Sequence, residues 1–557
     1  ALDEASVAAL IKESGPETYQ FTHALVRSTL YDELSVTRRR RRHRDVAEAM
    51  EARGGSDPGA LAHHFGRSGD SRGADYGILA GEQALAQLAP ARASGQFSLA
   101  LELLEEVPSD VVRRARALVG LGTAQRHLGD ARYRETLLEG ARLAAVAGEA
   151  ELLAEAALAN SRDAWSAVGV TDAKKIDVLE QALSAIGPED SPTRARLLGL
   201  LSLEHYWEPG RLRFELSEEA VGVARRTGDL AALADALRNR VLAAITPEDG
   251  LNLRDLYPEL ISLSRQLGDP YRLAIALAWR SVRDLEAGDL SAFDAGNQEL
   301  ARIADELGSP LLRWYHAVYR CSRAQITEPG AEVERLALHA HALGQEAGEA
   351  DAGNWFAPQY AMALDIQGRG HELIPVAHTE LERTGIPTWQ LTLARWLAMT
   401  GDVDGARVLY EPFIEQQFAN LPRDLVWTTG MAWAADTCRL LGDVRGAPVI
   451  ERLLEPMTGM LANCGVAVLP AIDHYIGVVQ AVSGRVEDAE RHFGAAHRLH
   501  ERLGARGWMA RTELERGRLL LDLGDRRAPE VLEAAREQGE AAGHAGVARE
   551  AAALLAR

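Results

Sequence analysis

Apolar residues recur along this chain with the period of an α-helix. In residues 270–286, Tyr271, Ala274, Ile275, Ala278, Val282 and Leu285 follow the i, i+3, i+4, i+7 rule, and Phe293, Leu300, Ile303, Ala304 and Leu307 do so over 290–307. Each stretch predicts a helix of about four turns. Two such helices joined by a short turn make an antiparallel hairpin. Glycines punctuate the pattern. One register runs Gly148, Gly187, Gly228, Gly268, Gly308, Gly348, and a second lies between them at Gly129, Gly169, Gly210, Gly250, Gly288, Gly330, Gly370. The pattern resumes at Gly401, Gly442, Gly484 and Gly524, with Gly465, Gly504 and Gly543 interleaved. Equivalent turns therefore recur about every 40 residues, the length of one elongated helical hairpin.

Turn chemistry explains the punctuation. Glycine ends a helix because it takes the left-handed conformation without a Cβ clash. In Gly228-Asp229, Gly268-Asp269, Gly401-Asp402 and Gly442-Asp443 the following Asp is placed to cap the next helix, and Pro270 suits a first helical turn. A lone hairpin cannot bury its apolar stripe, so neighbours must stack. The expected fold is all-α, a right-handed superhelical solenoid of tetratricopeptide-like hairpins. Val486-Glu487-Asp488-Ala489-Glu490-Arg491-His492-Phe493 is typical of a second helix in such a unit. The opening ALDEASVAALIKE also reads as helix, and as the middle of a longer protein.

Charge divides the chain. Of its 557 residues and net charge of −20, residues 1–70 hold 10 basic and 11 acidic groups, so the solenoid carries nearly all of the excess. That balance argues against nucleic acid or an anionic membrane as the main partner. The run Arg38–Arg44 reads as a solvated face of a helix bearing Val36, Arg40, His43, Val46, Ala47 and Met50. Lysine occurs only at Lys12, Lys174 and Lys175, and none follows a glycine, so the chain has no G-K-[ST] phosphate loop. Neither an H-E-x-x-H helix nor a G-x-S-x-G elbow is present, and the expectation is a non-catalytic chain without a cofactor or metal of its own. Cys321, Cys438 and Cys464 are too few and too far apart for a disulfide framework, and with no apolar span or leader the expected location is the cytoplasm.

The head carries Tyr19-Gln20-Phe21-Thr22-His23-Ala24-Leu25-Val26-Arg27, Leu30-Tyr31, the arginine run, and Leu61-Ala62-His63-His64-Phe65. This resembles the end of the winged-helix domain in bacterial STAND signal-transducing ATPases, above all the large ATP-binding LuxR-type regulators and the cyclase–ATPase proteins of actinobacteria. Leu312-Arg313-Trp314-Tyr315 and Leu421-Pro422-Arg423-Asp424 resemble the helical sensor region of the same group. The resemblance implies a winged-helix remnant over residues 1–50 and a solenoid sensor over 51–557. It further implies a parent protein that binds ATP or ADP through an upstream nucleotide-binding module, with His23 touching the ADP β-phosphate. An inducer or regulatory protein would bind the solenoid and promote self-association, with transcription or cyclic-nucleotide synthesis as output.

Seven of ten tryptophans fall between Trp279 and Trp433. On the inner surface of a solenoid they suit a flat ligand. The candidate binding residues are Trp314, Trp355, Trp389 and Trp427, with Arg313, Arg320, Arg395 and Arg423 to fix polar groups. Asp424 reads as an N-cap, and His474 and Tyr475 as inner-face groups. The alternative reading is a scaffold that grips a partner peptide or helix.

Overall fold

A computed structural model describes residues 2–15, 18–105, 107, 109–162, 164–246, 253 and 255–556. Among these residues there are 29 α-helices, most of them packed on the next in sequence, and two short β-hairpins. The fold is an all-α, solenoid-like stack of helical hairpins. No helix among the described residues is long and apolar enough to cross a membrane.

The glycine registers mark helix ends. Gly148, Gly187, Gly228, Gly268, Gly308 and Gly348 all have φ between 60° and 85°, the left-handed region that a Cβ disfavours. Capping follows the sequence at Asp229, Asp269, Asp289 and Asp402, which accept from backbone N–H groups three residues on. Asp443 instead accepts from Arg445 and Gly446 N–H at 3.2 Å, ahead of helix Ala447–Leu454, whose N-cap is Gly446. Five glycine positions differ. Gly169 turns between the bridged Ala167 and Val170, and Gly210 lies in the connection between helices Pro192–Glu204 and Leu212–Thr227. Gly330 is the first residue of helix Gly330–Glu346, and Gly370 opens a 3-10 turn after Gly368 has ended the preceding helix. Gly465 turns a β-hairpin instead of ending a helix. Gly250 lies outside the described residues.

The chain divides into two compact units. The first comprises residues 1–160 and 177–187. Its opening segment is not one helix: helix Leu2–Val7 gives way to strand Ile11–Gly15, which pairs antiparallel with Thr18–Phe21. Ala9, at φ 55°, breaks the helix, and the β-branched and aromatic residues that follow then pair as antiparallel strands. In helix Val36–Arg53 only Ala47 is buried; Arg39 and Arg42 face Asp32 and Asp45 at 3.8 and 3.7 Å, as expected of a solvated face. The core of this unit centres on Phe97, with Ile78, Leu104 and several alanines around it.

The second unit comprises residues 161–176 and 188–557. Its helix Pro270–Glu286 buries the predicted stripe apart from the half-buried Tyr271, and also Leu273, Ala276, Leu277 and Trp279, because it has partners on more than one face. One such partner is the hairpin Leu461–Asn463 and Val468–Ala471. No charged residue lies between Glu455 and Asp473, and every residue from Leu461 to Gln480 is buried. Side chains distant in sequence fasten the hairpin. Asn463 donates to the Val282 carbonyl at 3.3 Å, Ser322 and Gln359 donate to the Val466 carbonyl at 2.7 and 3.0 Å, and Gln325 accepts from Val468 N–H at 2.8 Å. A strand edge inside a helical unit is stable only if its backbone groups find partners, and these polar side chains supply them.

Candidate functional site: a tryptophan-lined cavity

The hairpin forms one wall of a cavity inside the second unit. The cavity envelope encloses about 980 Å³, a volume that includes open solvent. Seven of the ten tryptophans line it: Trp165, Trp207, Trp279, Trp355, Trp389, Trp396 and Trp433. Several touch in sequence along the wall. Trp207 meets Trp165 at 5.6 Å, Trp165 meets Trp279 at 5.6 Å, and Trp279 meets Trp355 at 6.0 Å, each edge to face. Edge-to-face packing fixes ring orientation, while Tyr206 stacks on Trp165 at 4.8 Å and Trp314 packs against Trp355 at 4.7 Å.

Different elements supply these rings. Trp279, Trp355 and Trp396 project from helices Pro270–Glu286, Ala352–Ile366 and Pro387–Met399. Trp165 comes from the loop at 161–172, which is anchored through Arg162. That guanidinium pairs with Glu349 at 2.6 Å and Asp351 at 3.5 Å and donates to the Ser166 carbonyl at 2.9 Å. Asp351 also accepts from Val168 N–H at 3.3 Å. A loop tied to residues 180 positions away can hold a tryptophan in a wall as firmly as a helix does.

One carboxylate, Asp365, reaches the cavity, and it belongs to a buried tetrad. Arg395 lies 2.7 Å from both Asp365 and Asp436, while Arg511 lies 3.5 Å from Asp365 and 2.5 Å from Asp436. Two guanidinium groups thus balance two carboxylates, each with several charge-assisted hydrogen bonds. Burial would push the Asp436 carboxyl up, but Arg511, Arg395 and Arg439 beside it hold it well below the usual carboxylate range. The Arg395 guanidinium also lies 4.4 Å over the Trp433 ring.

The predicted residues separate into two groups. Trp355 and Trp389 line the cavity, and Arg395 stands directly behind it in the tetrad. Trp314 is buried behind Trp355, ring to ring at 4.7 Å, and Trp427 is buried under the Arg423 guanidinium at 4.2 Å. Arg313 and Arg320 are exposed, with Arg313 paired to Asp305 at 3.3 Å. Asp424 is not an N-cap: it accepts from Val426 N–H at 3.0 Å, ahead of a helix that starts at Trp427. His23 is exposed and its side chain caps nothing. Trp165, Trp207, Tyr319 and Asp365 carry no signal in their local sequence. The uncharged run before Asp473 is the one feature that marks the hairpin.

His474 lies deep in this unit, its Nδ1 3.1 Å from the Thr512 hydroxyl. Burial, then the nearby Arg511, pushes its imidazole down to about 3 from 6.5. The unfolded chain therefore binds a proton below pH 6.5 that the folded chain refuses, so stability falls as pH drops through that window. The slope is about 1.4 kcal/mol per pH unit. Urea unfolding at pH 7 and pH 5 is expected to show wild type losing about 2 kcal/mol more than His474→Gln over that interval. Equal losses would show that His474 is charged in the fold.

No family model matches this chain and no curated protein matches it. Among solved structures it is similar to a circular tandem repeat protein with novel repeat topology and enhanced subunit contact surfaces, at 13% identity over 94% of each chain. The TM-score is 0.14, so the two backbones do not superimpose.

Proposed function

We propose that this chain is a non-catalytic sensor solenoid, and that a small molecule binding in the tryptophan-lined cavity is its signal. The observation that carries this reading is the concentration of seven tryptophans around one cavity. Stacked hairpins suit such a role, because small shifts between neighbours accumulate along the array. The resemblance of residues 19–65 to the STAND winged-helix region supports a setting in which the solenoid biases an ATP- or ADP-bound module of the same polypeptide, with His23 facing the nucleotide there. Binding would then promote self-association by favouring one of two states through differential affinity.

A metabolite library screened by quenching of tryptophan fluorescence tests the reading. A true ligand is expected to lose roughly tenfold or more in affinity in Trp389→Ala, a change of about 1.4 kcal/mol. Trp508→Phe, buried beside His500 outside the cavity, should leave affinity unchanged. Stoichiometric capture of a peptide or protein with no small-molecule quenching would favour the scaffold reading instead.

A further inference from the structure

The chemistry of the cavity wall restricts what can occupy it; this inference rests on the reading of the cavity as a small-molecule site. Among the described lining residues Asp365 is the only Asp, Glu, Lys, Arg or His, and Arg395 and Arg511 already pair with it. An anion would find no free cation on the wall. A cation would meet a carboxylate whose charge is already satisfied.

The polar groups that remain unpaired are mostly donors. Trp207 Nε1, Trp279 Nε1 and the Tyr319 hydroxyl belong to lining residues, are shielded from solvent and have no hydrogen-bond partner within the protein. Indole N–H is donor only, and burial keeps the Tyr319 phenol protonated. Trp396 Nε1 is a further unpartnered donor and the Thr429 hydroxyl an unpartnered group that can donate or accept, whereas Thr392 donates to the Thr388 carbonyl at 2.8 Å and Asn354 donates to Asp351 at 2.6 Å. Whatever displaces water from this space must offer acceptors to these donors, or each is left unpaired at a cost. A sugar would stack on the rings, but its many hydroxyl donors would find few free acceptors.

We infer that the cavity selects a neutral, flat, polycyclic molecule that carries carbonyl-type acceptors and few donors, with Tyr319 and Trp279 donating to it. Equilibrium dialysis of the full chain against four tricyclic probes tests this: fluorenone, fluorene, fluorenone carboxylate and N-methylacridinium. Fluorenone and fluorene share shape and differ in the carbonyl. The expected result is fluorenone bound roughly tenfold more tightly than each of the other three. Tyr319→Phe, which keeps the ring and removes the O–H, should narrow the preference for fluorenone over fluorene and leave fluorene binding unchanged.

Equal binding of fluorenone and fluorene, or an unchanged preference in Tyr319→Phe, would overturn the acceptor requirement while leaving the cavity as a binding site. Tightest binding of N-methylacridinium would replace it with a cation cage. Failure of all four probes to bind would overturn the small-molecule reading itself.

Discussion

Arg395→Met is expected to lower the stability of the second unit by about 3–5 kcal/mol. Arg395 is 4% exposed and bridges Asp365 and Asp436, so its loss leaves two buried carboxylates sharing Arg511, with Arg439 near Asp436 alone. Desolvating a charge without a partner is far costlier than losing an exposed ion pair, whose typical worth is under about 1 kcal/mol. All ten tryptophans lie in the second unit, so tryptophan fluorescence during urea unfolding reports this change. The pH dependence has a definite sign. Asp436 is held below its unfolded pKa, so its contribution is present above about pH 4 and lost as pH falls through the folded value. The gap between wild type and Arg395→Met should therefore be widest near neutrality and shrink in acid. Replacing all four members, as Asp365→Leu, Arg395→Met, Asp436→Leu and Arg511→Met, should recover most of the loss, because no orphaned charge remains. A quadruple variant no more stable than Arg395→Met would show that packing, not charge, dominates the site.

Phe97→Ala should cost the first unit about 3–5 kcal/mol. The ring is fully buried in a slot between two helices, Arg72–Ala86 and Val111–His127, which meet it with glycines. A Cβ at Gly81 would lie 2.6 Å from the ring and one at Gly120 2.3 Å from it, closer than carbon atoms approach. Gly120→Ala is therefore expected to destabilise by about 1–3 kcal/mol through overpacking. Combined with Phe97→Leu it should cost less than the sum of the two single changes, since the smaller side chain makes room for the added methyl. The first unit contains no tryptophan, so these effects belong to the circular dichroism transition, with the fluorescence transition unmoved. Strict additivity would mean that ring and glycines do not share a slot.

Local sequence determined the repeat of this protein. Helical period, left-handed glycines and aspartate caps are decided within a few residues of one another, so Gly268, Asp269 and Pro270 announce a helix end and the next start without help from elsewhere. The clustering of tryptophans between Trp279 and Trp433 also pointed to the region of the cavity, and Trp355 and Trp389 within it. Periodicity says which side of a helix is apolar; it does not say which neighbour covers that side. Trp314 and Trp427 have the same local character as Trp355, yet Trp314 is sealed behind it and Trp427 is buried under Arg423. Only tertiary structure decided that difference. It also brought Arg162 to Glu349, seated the uncharged hairpin of residues 461–471 against Val282, Ser322 and Gln359, and closed the tetrad of Asp365, Arg395, Asp436 and Arg511. The physical reason is common to all of them. Each joins groups tens to nearly two hundred residues apart, and desolvation strengthens them only after the intervening hairpins have stacked.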